Sequence, residues 1–531
     1  MFFARGVIFV CVLASNIPAT FAGSKDRVVD LTASTSDGEI IGHLAKNRSS
    51  VLEFLGIPYA QPPTGSLRFA APAKRQGSGS YVASDWSSDC PQASSPPYDF
   101  PGFTPQAQQI INYFAGNAGT RRDEDCLTLN IWTRPLALPC ESAQKPVLVF
   151  FYGGRTAIGT THSPVYDGQY FADAEDVVVV TVNYRLSIFG FPGCPGCTQN
   201  LGFRDQRLAV EWLRDNVAAF GGDASRITIF GQSSGGVAVD YWSYAYLEDP
   251  IVAGLISHSG NAFSFPLNPA NLTISNWYNV SAEVGCGSTG DTVPCMRTKK
   301  WEEIEEAASN LPSAVGSSPL RSVPPFYPSP DGEVVLSNYT ELSLGDHFAK
   351  IPYLLGNNNN EQGYYIIPAV ANGADPTEAE GDLFLLQSFT CPNYVNHSRH
   401  QKMFEATNRH AHGVPVWQYR YFGHWENLRL YPGSGAYHGS DIEMVFGNSG
   451  VVSGIPPSEP EEQVSRLMQH AWAAFAANPA SGLSELGWPE YDPERNSLVC
   501  LAYKNRPGAD FVRPSMYDHP CSTVELGAMA T

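Results

Sequence analysis

The sequence predicts an α/β fold with a large, mostly parallel central sheet covered by helices on both faces. Three observations carry that expectation. The runs "KPVLVFFYGG" (145–154) and "DVVVVTVNYRL" (176–186) are almost unbroken in apolar residues, where a strand with one wet face would alternate. "FRDQRLAVEWLRDNVAAFGG" (203–222) shifts to a helical period through Leu208, Trp212 and Val217, and a glycine pair stops it. "ITIF" (227–230) then reads as another strand and runs straight into a turn of small residues, so that strand, helix and strand follow one another as in a parallel unit.

The chain opens with "MFFARGVIFVCVLASNIPATFAG", in which Arg5 precedes an apolar run and Thr20, Ala22 and Gly23 supply small residues near its end. This is the pattern of a signal peptide over residues 1–22, and the run is shorter than the 18 or so apolar residues of a membrane span. Residues 23–531 then read as a single catalytic domain with long loop excursions. "VLEFLGIPYAQPPTGSLRF" (51–69) predicts a strand followed by a Pro/Gly loop, "IPYLLG" (351–356) a further strand, and "EEQVSRLMQHAWAAFAANP" (461–479) a helix. The Pro- and Ser-rich stretches near 313–330 and 451–460 read as surface loops.

Composition narrows the class. With 52 acidic residues against 33 basic ones the net charge is −19, which argues against nucleic acid or an anionic membrane surface as partner. Of the 11 cysteines, Cys11 would leave with the signal peptide, and the even remainder fits disulfides made in an oxidising compartment. Sequons at Asn47, Asn271, Asn279, Asn338 and Asn396 could carry N-linked glycans, so the expected location is extracellular, through the secretory pathway. A lone C-x-x-C at Cys194 and Cys197 is open to redox, metal-binding or structural readings; with Pro192, Gly193, Pro195 and Gly196 around it, it reads as a structural turn.

Chemistry enters at "RITIFGQSSGGVAVDYW" (226–242). A bare G-x-S-x-G occurs often by chance, but one placed between a strand and a helix start is what a nucleophile elbow needs. Gly231 and Gly235 would let a strained Ser233 project between the two elements, and the backbone N–H of Ser234, at the helix N-terminus, could stabilise negative charge. A serine hydroxyl needs a general base, and the base an orienting acid. Glu361 in "LLGNNNNEQG" is a candidate acid and His438 in "GSGAYHGSDIEMVFG" a candidate base, giving the order Ser, acid, His expected of an α/β-hydrolase. Taken alone, each is one among many acids and histidines.

Several long stretches in a fixed order make the selection. From about residue 27 to near the C-terminus the chain resembles the type-B carboxylesterase, fungal lipase and cholinesterase family, through "FLGIPYAQPPTGSLRF", "EDCLTLNIW" (124–132), "VNYRLSIFGF" (182–191), "NLGFRDQRLAVEWLRDNVAAFGGD" (200–223), "ITIFGQSSGG", "LLGNNNNEQG" and "GAYHGSDIEMVFG". The resemblance implies the α/β-hydrolase fold, Ser233 as nucleophile, Glu361 as acid and His438 as base. It also implies an oxyanion hole from the N–H groups of Gly154, Arg155 and Ser234, and disulfides Cys90–Cys126 and Cys286–Cys295. The first disulfide would close a long loop, 90–126, whose "QIINYF" segment is a lid, a pocket wall or a plain packed loop. Pairings among Cys140, Cys194, Cys197, Cys391, Cys500 and Cys521 stay open.

Two departures bear on substrate. The family's oxyanion loop resembles Tyr-Gly-Gly-Gly-Phe, whereas this chain has Tyr152-Gly153-Gly154-Arg155-Thr156. Arg155 can present its N–H like any residue, or it can also aim its guanidinium into the pocket and favour a substrate bearing a carboxylate or another anionic group. Cholinesterases carry a Trp in the long loop and a Glu before the nucleophile; here Gln109 and Gln232 stand at those places, so cation recognition loses two supports, with Tyr113 and Phe114 left as partial substitutes. The expected activity is that of a secreted serine carboxylic-ester hydrolase working through an acyl-enzyme on a small-molecule ester, with no metal or organic cofactor. Competing readings are an interfacially activated triacylglycerol lipase, a specialised secondary-metabolite hydrolase or acyltransferase, and a nonenzymatic adhesion or binding protein.

Overall fold

In the computed structural model, which describes residues 30–77, 79–136, 144–315, 318–320, 322–393 and 405–524, the apolar runs lie side by side in an 11-stranded sheet. Its strands are β1 (His43–Leu44), β2 (Leu52–Pro58), β3 (Thr128–Thr133), β4 (Lys145–Phe151), β5 (Val178–Val182), β6 (Gly222–Gln232), β7 (Gly254–His258), β8 (Tyr353–Asn358), β9 (Val416–Tyr421), β10 (Leu498–Leu501) and β11 (Ala509–Val512). They are ordered β11-β10-β9-β8-β7-β6-β4-β5-β3-β2-β1. From β10 across to β5 every neighbouring pair is parallel, and antiparallel strands finish both edges. The sheet is thus mostly parallel, as the sequence predicts.

The unbroken hydrophobicity of β4 and β5 has its cause in burial on both faces: every residue of each is buried. Val147, Val149 and Phe151 pack on one side with Leu208 and Leu213 of α1 (Leu201–Asn216) and Val237 of α2 (Ser234–Ala245). Leu148 and Phe150 pack on the other with Val464, Met468 and Trp472 of α3 (Glu459–Ala477). Helix α1 gives way to a short 3-10 turn, Val217–Phe220, capped by Gly221 at φ 85°. Only that first glycine of the pair ends the helix, for Gly222 already belongs to β6. Helix α3 begins in a capping box between Ser458 and Glu461.

The stretches read as loops are partly structured. Ala314–Val315 pairs with Ser322–Val323, and a short helix, Ser449–Ser453, overlaps the start of the second stretch. Leu31–Thr531 is one compact unit. The signal-peptide segment lies outside the described residues, as do Cys140 and Asn396. Disulfides join Cys90 to Cys126, Cys194 to Cys197, Cys286 to Cys295 and Cys391 to Cys521. The C-x-x-C is therefore a local bridge. Cys500, on the buried strand β10, is a free thiol pushed up to about 12 by burial.

Beneath α2 lies a charge cluster with no exposure at all. Arg409 Nη2 donates to Asp240 Oδ1 and to Ser243 Oγ, both at 2.7 Å, and Nε donates to Glu405; Asp240 Oδ2 accepts from the Ala262 N–H at 2.7 Å. Its favourable Coulomb terms persist only while the guanidinium faces both carboxylates. Arg409→Ala is expected to lower stability by about 3–5 kcal/mol, read as a drop in thermal midpoint, because it strands two buried acids.

Candidate active site

The C-terminal ends of β6 and β7 are level, with Gln232 opposite His258, and His258 lies opposite Gly356, two residues before the end of β8. Parallel strands covered by helices open their loops at this edge. The residue after β6 is Ser233, the residue after β7 is Ser259, and Glu361 follows β8 by one short turn. Main-chain bonds continue the row past the strands, from Ser233 N–H to His258 O and from Ser259 N–H to Gly356 O, each 2.8 Å.

Ser233 has φ 58° and ψ −124°, a strained conformation for a residue with a side chain. It is held because the strand before it and the helix after it pack too closely for any other residue on either side. A Cβ on Gly235 would lie 2.0 Å from the Phe151 carbonyl oxygen, and one on Gly231 would lie 2.4 Å from the Gly235 carbonyl carbon. The turn therefore has the sharpness that the glycine spacing predicts, and Ser233 faces a cavity.

His438 reaches the same cavity from the loop after β9. Asn358 Nδ2 donates to the Tyr437 carbonyl at 2.7 Å and the Asn360 N–H to the Ala436 carbonyl at 3.0 Å, which fixes that loop against the end of β8. His438 Nδ1 is 2.5 Å from Glu361 Oε2. Glu361, with no exposed surface, receives two further bonds on Oε1, from Ser259 Oγ and from the Asn358 N–H, both 2.6 Å. Those donors orient the carboxylate so that it accepts from Nδ1 and leaves the Nε2 lone pair free to act as a base. That lone pair accepts from Gln232 Nε2 at 3.0 Å. Two rings flank the imidazole, Tyr365 at 5.0 Å and Phe389 at 5.1 Å between centroids. Burial pushes the Tyr365 phenol up, Glu361 adds to the shift, and Arg155 and the Ser233 hydroxyl act against it.

A second histidine–carboxylate pair lies under the first. Trp472 Nε1 donates to His258 Nε2 at 2.9 Å, so Nδ1 carries the proton and faces Asp441 Oδ2 at 2.7 Å, where Tyr419 OH also donates at 2.8 Å. Burial alone would raise Asp441; His258, Tyr419 and Asn358 outweigh it and hold the carboxyl below its ordinary value. Asn358 bonds both Asp441 and the Tyr437 carbonyl, so this pair braces the loop that carries His438.

The cavity, about 470 Å³, has Ser233, His438, Gln232, Gly153, Gly154 and Arg155 at its chemical end and Tyr98, Phe114, Ile158, Leu320, Tyr364 and Tyr365 among its walls. Arg155 and Thr156 have φ 57° and 55°, and the Thr156 N–H donates to Ser234 Oγ at 3.2 Å, pinning the loop to the start of α2. Among the described residues, the N–H groups of Gly154, Arg155 and Ser234 have no acceptor. The side chain of Arg155 lines the cavity, and its Nη1 donates to Ser322 Oγ at 2.7 Å.

The structure thus brings together Ser233, Glu361, His438 and the Gly154–Arg155 and Ser234 backbone. The segment 107–114 is a helix with Ala107, Ile110 and Ile111 buried, and Phe114 at its end forms part of the cavity wall. Gln109 does not reach the cavity: it lies on the exposed side of that helix and donates to the Val452 carbonyl at 2.8 Å. Ser259, Tyr365, Phe389 and the His258–Asp441 pair escape a reading by motif, because no local pattern marks them. Asn47, Asn271, Asn279 and Asn338 are exposed. Among the described residues no helix is long and apolar enough to cross a membrane.

Comparison with known proteins identifies relatives over most of the chain. The model of the carboxylesterase family matches residues 27–411 and 387–521. Secreted lipase 5 of Gibberella zeae is 31% identical over 503 residues, covering 91% of this chain and 92% of that protein. Chlorogenic acid esterase of Aspergillus niger is 32% identical over 514 residues, covering 93% and 94%, and acetylcholinesterase of Bungarus fasciatus 29% identical over 534 residues, covering 91% and 85%.

One buried acid beside the site makes its stability depend on pH. Both carboxyl oxygens of Glu443 lack a partner among the described residues, and burial pushes the group up to about 8 from 4.5. It is neutral when folded and ionises first in the unfolded chain, so its contribution is complete below pH 4.5 and is lost as the pH rises towards 8. Glu443→Gln is therefore expected to flatten the fall of the thermal midpoint across that interval, and a wild-type slope in the variant would contradict the assignment.

Proposed function

The chain belongs to the carboxylesterase family, and from that premise we propose that it is a secreted serine hydrolase of carboxylic esters that works through an acyl-enzyme. The observation that carries the reading is the unbroken line from Ser259 and the Asn358 N–H through Glu361 to His438, beside a Ser233 held at the tip of a strained turn. His438 takes the Ser233 proton through Nε2 as Ser233 Oγ attacks the ester carbonyl, and Glu361 stabilises the imidazolium that forms. For this, Nε2 exchanges its bond with Gln232 for one with Ser233 Oγ. The N–H groups of Gly154, Arg155 and Ser234 receive the oxyanion. His438 then protonates the departing alcohol, and a water activated by the same nitrogen releases the acid.

A backbone donor does not depend on its side chain, so Arg155 serves the oxyanion as a glycine would once its positive φ is imposed. The apolar part of the wall suits an acyl or alcohol group of moderate size. Gln232, neutral in front of Ser233, leaves a quaternary ammonium without an adjacent acid, and with Gln109 outside the cavity its aromatic support falls to Phe114 and the tyrosines of the wall. The loop between Cys90 and Cys126 supplies Ser95, Tyr98, Phe114 and Ala115 to the cavity, which favours its role as a wall and keeps a lipase reading in play, as the match to secreted lipase 5 does.

Hydrolysis of p-nitrophenyl esters with acyl chains of graded length is the test. Ser233→Ala is expected to lower kcat by at least about 10⁴-fold, and Glu361→Gln by about 10⁴-fold through loss of the correct imidazole tautomer. Undiminished turnover in Ser233→Ala would dismiss the mechanism. An optimum at short chains marks a carboxylesterase; one at long chains that rises further on emulsified triglyceride marks a lipase.

A further inference from the structure

Among the described residues that line the catalytic cavity, Arg155 is the one Lys or Arg and no Asp or Glu is present, in a chain whose net charge is −19. Among the described residues no carboxylate lies within ion-pairing distance of Arg155. Arg68, Arg185 and Arg409 are matched by buried carboxylates, Glu124, Asp205, and Asp240 with Glu405, whereas Arg420 and Arg297, like Arg155, bond only neutral groups among the described residues. Arg155, which is half-buried, bonds only a hydroxyl and a carbonyl, Ser322 Oγ at 2.7 Å and Ser322 O at 3.5 Å, both through Nη1. Its charge is near enough to act on the Tyr364 and Tyr365 phenols, which burial raises and Arg155 opposes. The residue also sits at φ 57°, where glycine would be unstrained, so its side chain is kept at a local conformational cost.

We propose that Arg155 is a specificity-determining residue whose guanidinium receives a carboxylate carried by the ester substrate, so that the preferred substrates are anionic esters. The inference rests on the ester-hydrolase reading and specifies its substrate class. Ser322 holds Nη1 to one side of the fork, and the remaining N–H groups present the planar geometry that a carboxylate accepts in a bidentate pair. In a half-enclosed cavity free of competing acids, that pair is screened less than one on the open surface. The carboxylate can belong to the acyl or to the alcohol half of the ester.

Matched pairs of substrates separate those two sources. 4-Nitrophenyl hydrogen adipate is compared with 4-nitrophenyl hexanoate for the acyl side, and the butanoate of 4-hydroxybenzoate with phenyl butanoate for the alcohol side. The readout is the ratio of kcat/KM, anionic over neutral, within each pair. Arg155→Gln should lower that ratio on the order of ten- to hundredfold in one pair, which identifies the side, and Arg155→Lys should restore part of it. Ser322→Asp leaves the oxyanion loop untouched and occupies the guanidinium with an internal carboxylate; it should lower the same ratio, whereas Ser322→Ala should preserve it. Ratios that are the same in wild type, Arg155→Gln and Ser322→Asp for both pairs overturn the proposal, and so does a ratio that Ser322→Ala lowers as far as Ser322→Asp, since Arg155 would then act as a staple for that segment. Ser233→Ala is run alongside: activity that survives it defeats the underlying hydrolase mechanism instead, whatever the ratios do.

Discussion

The backbone of Ser233 is the constraint from which the rest of the site is built. A residue at φ 58° persists only when its surroundings over-determine it. Here β6 and α2 close on the Phe151 carbonyl so tightly that neither Gly231 nor Gly235 has room for a Cβ. The parallel register then does the assembling. Because β6 and β7 end level and β8 runs only two residues further, Ser233, Ser259 and Glu361 meet at one edge without long loops to position them.

The interior treats charge consistently. Arg185 and Asp205 pair through two bonds of 2.7 and 2.8 Å, Arg68 faces Glu124, and Arg409 joins two acids under α2. Each pair ties distant segments together, since burying either partner alone would cost several kcal/mol. Glu361 follows the same rule through hydroxyl and N–H donors. The consequence is geometric: its carboxylate cannot rotate away without leaving a buried donor unsatisfied, so His438 keeps one orientation. Asn358 couples this arrangement to the His258–Asp441 pair beneath it, and two aromatic rings close the sides of the imidazole. Arg155 differs from those pairs, because no acid lines its cavity among the described residues.

Much of the fold was legible in the residue order. Strands β4 and β5 announce themselves because burial on both faces demands unbroken apolar runs, and α1 because a helix with one buried face repeats every three to four residues. The elbow is legible for a related reason: close approach of two backbones leaves glycine as the residue that fits. The small strands near Ser322 are not legible, since a two-residue pairing has no period to detect. The side of the helix on which Gln109 lies is not legible in the sequence; only the packing of Ala107, Ile110 and Ile111 settles which side faces in.

By itself the sequence determined the fold class and the sharp serine turn, because each rests on local sterics or on patterns that keep their spacing along the chain; Glu361 and His438 were singled out by the resemblance to a family. Tertiary structure alone decided that Glu361 is held by Ser259 and the Asn358 N–H, that His438 Nε2 rests on Gln232, that Tyr365 and Phe389 flank the ring, and that Arg155 turns towards Ser322 inside the cavity. Those contacts join residues up to 206 positions apart, as between Gln232 and His438. Their distance and direction are set by how sheet and helices pack, and no stretch of sequence contains that information.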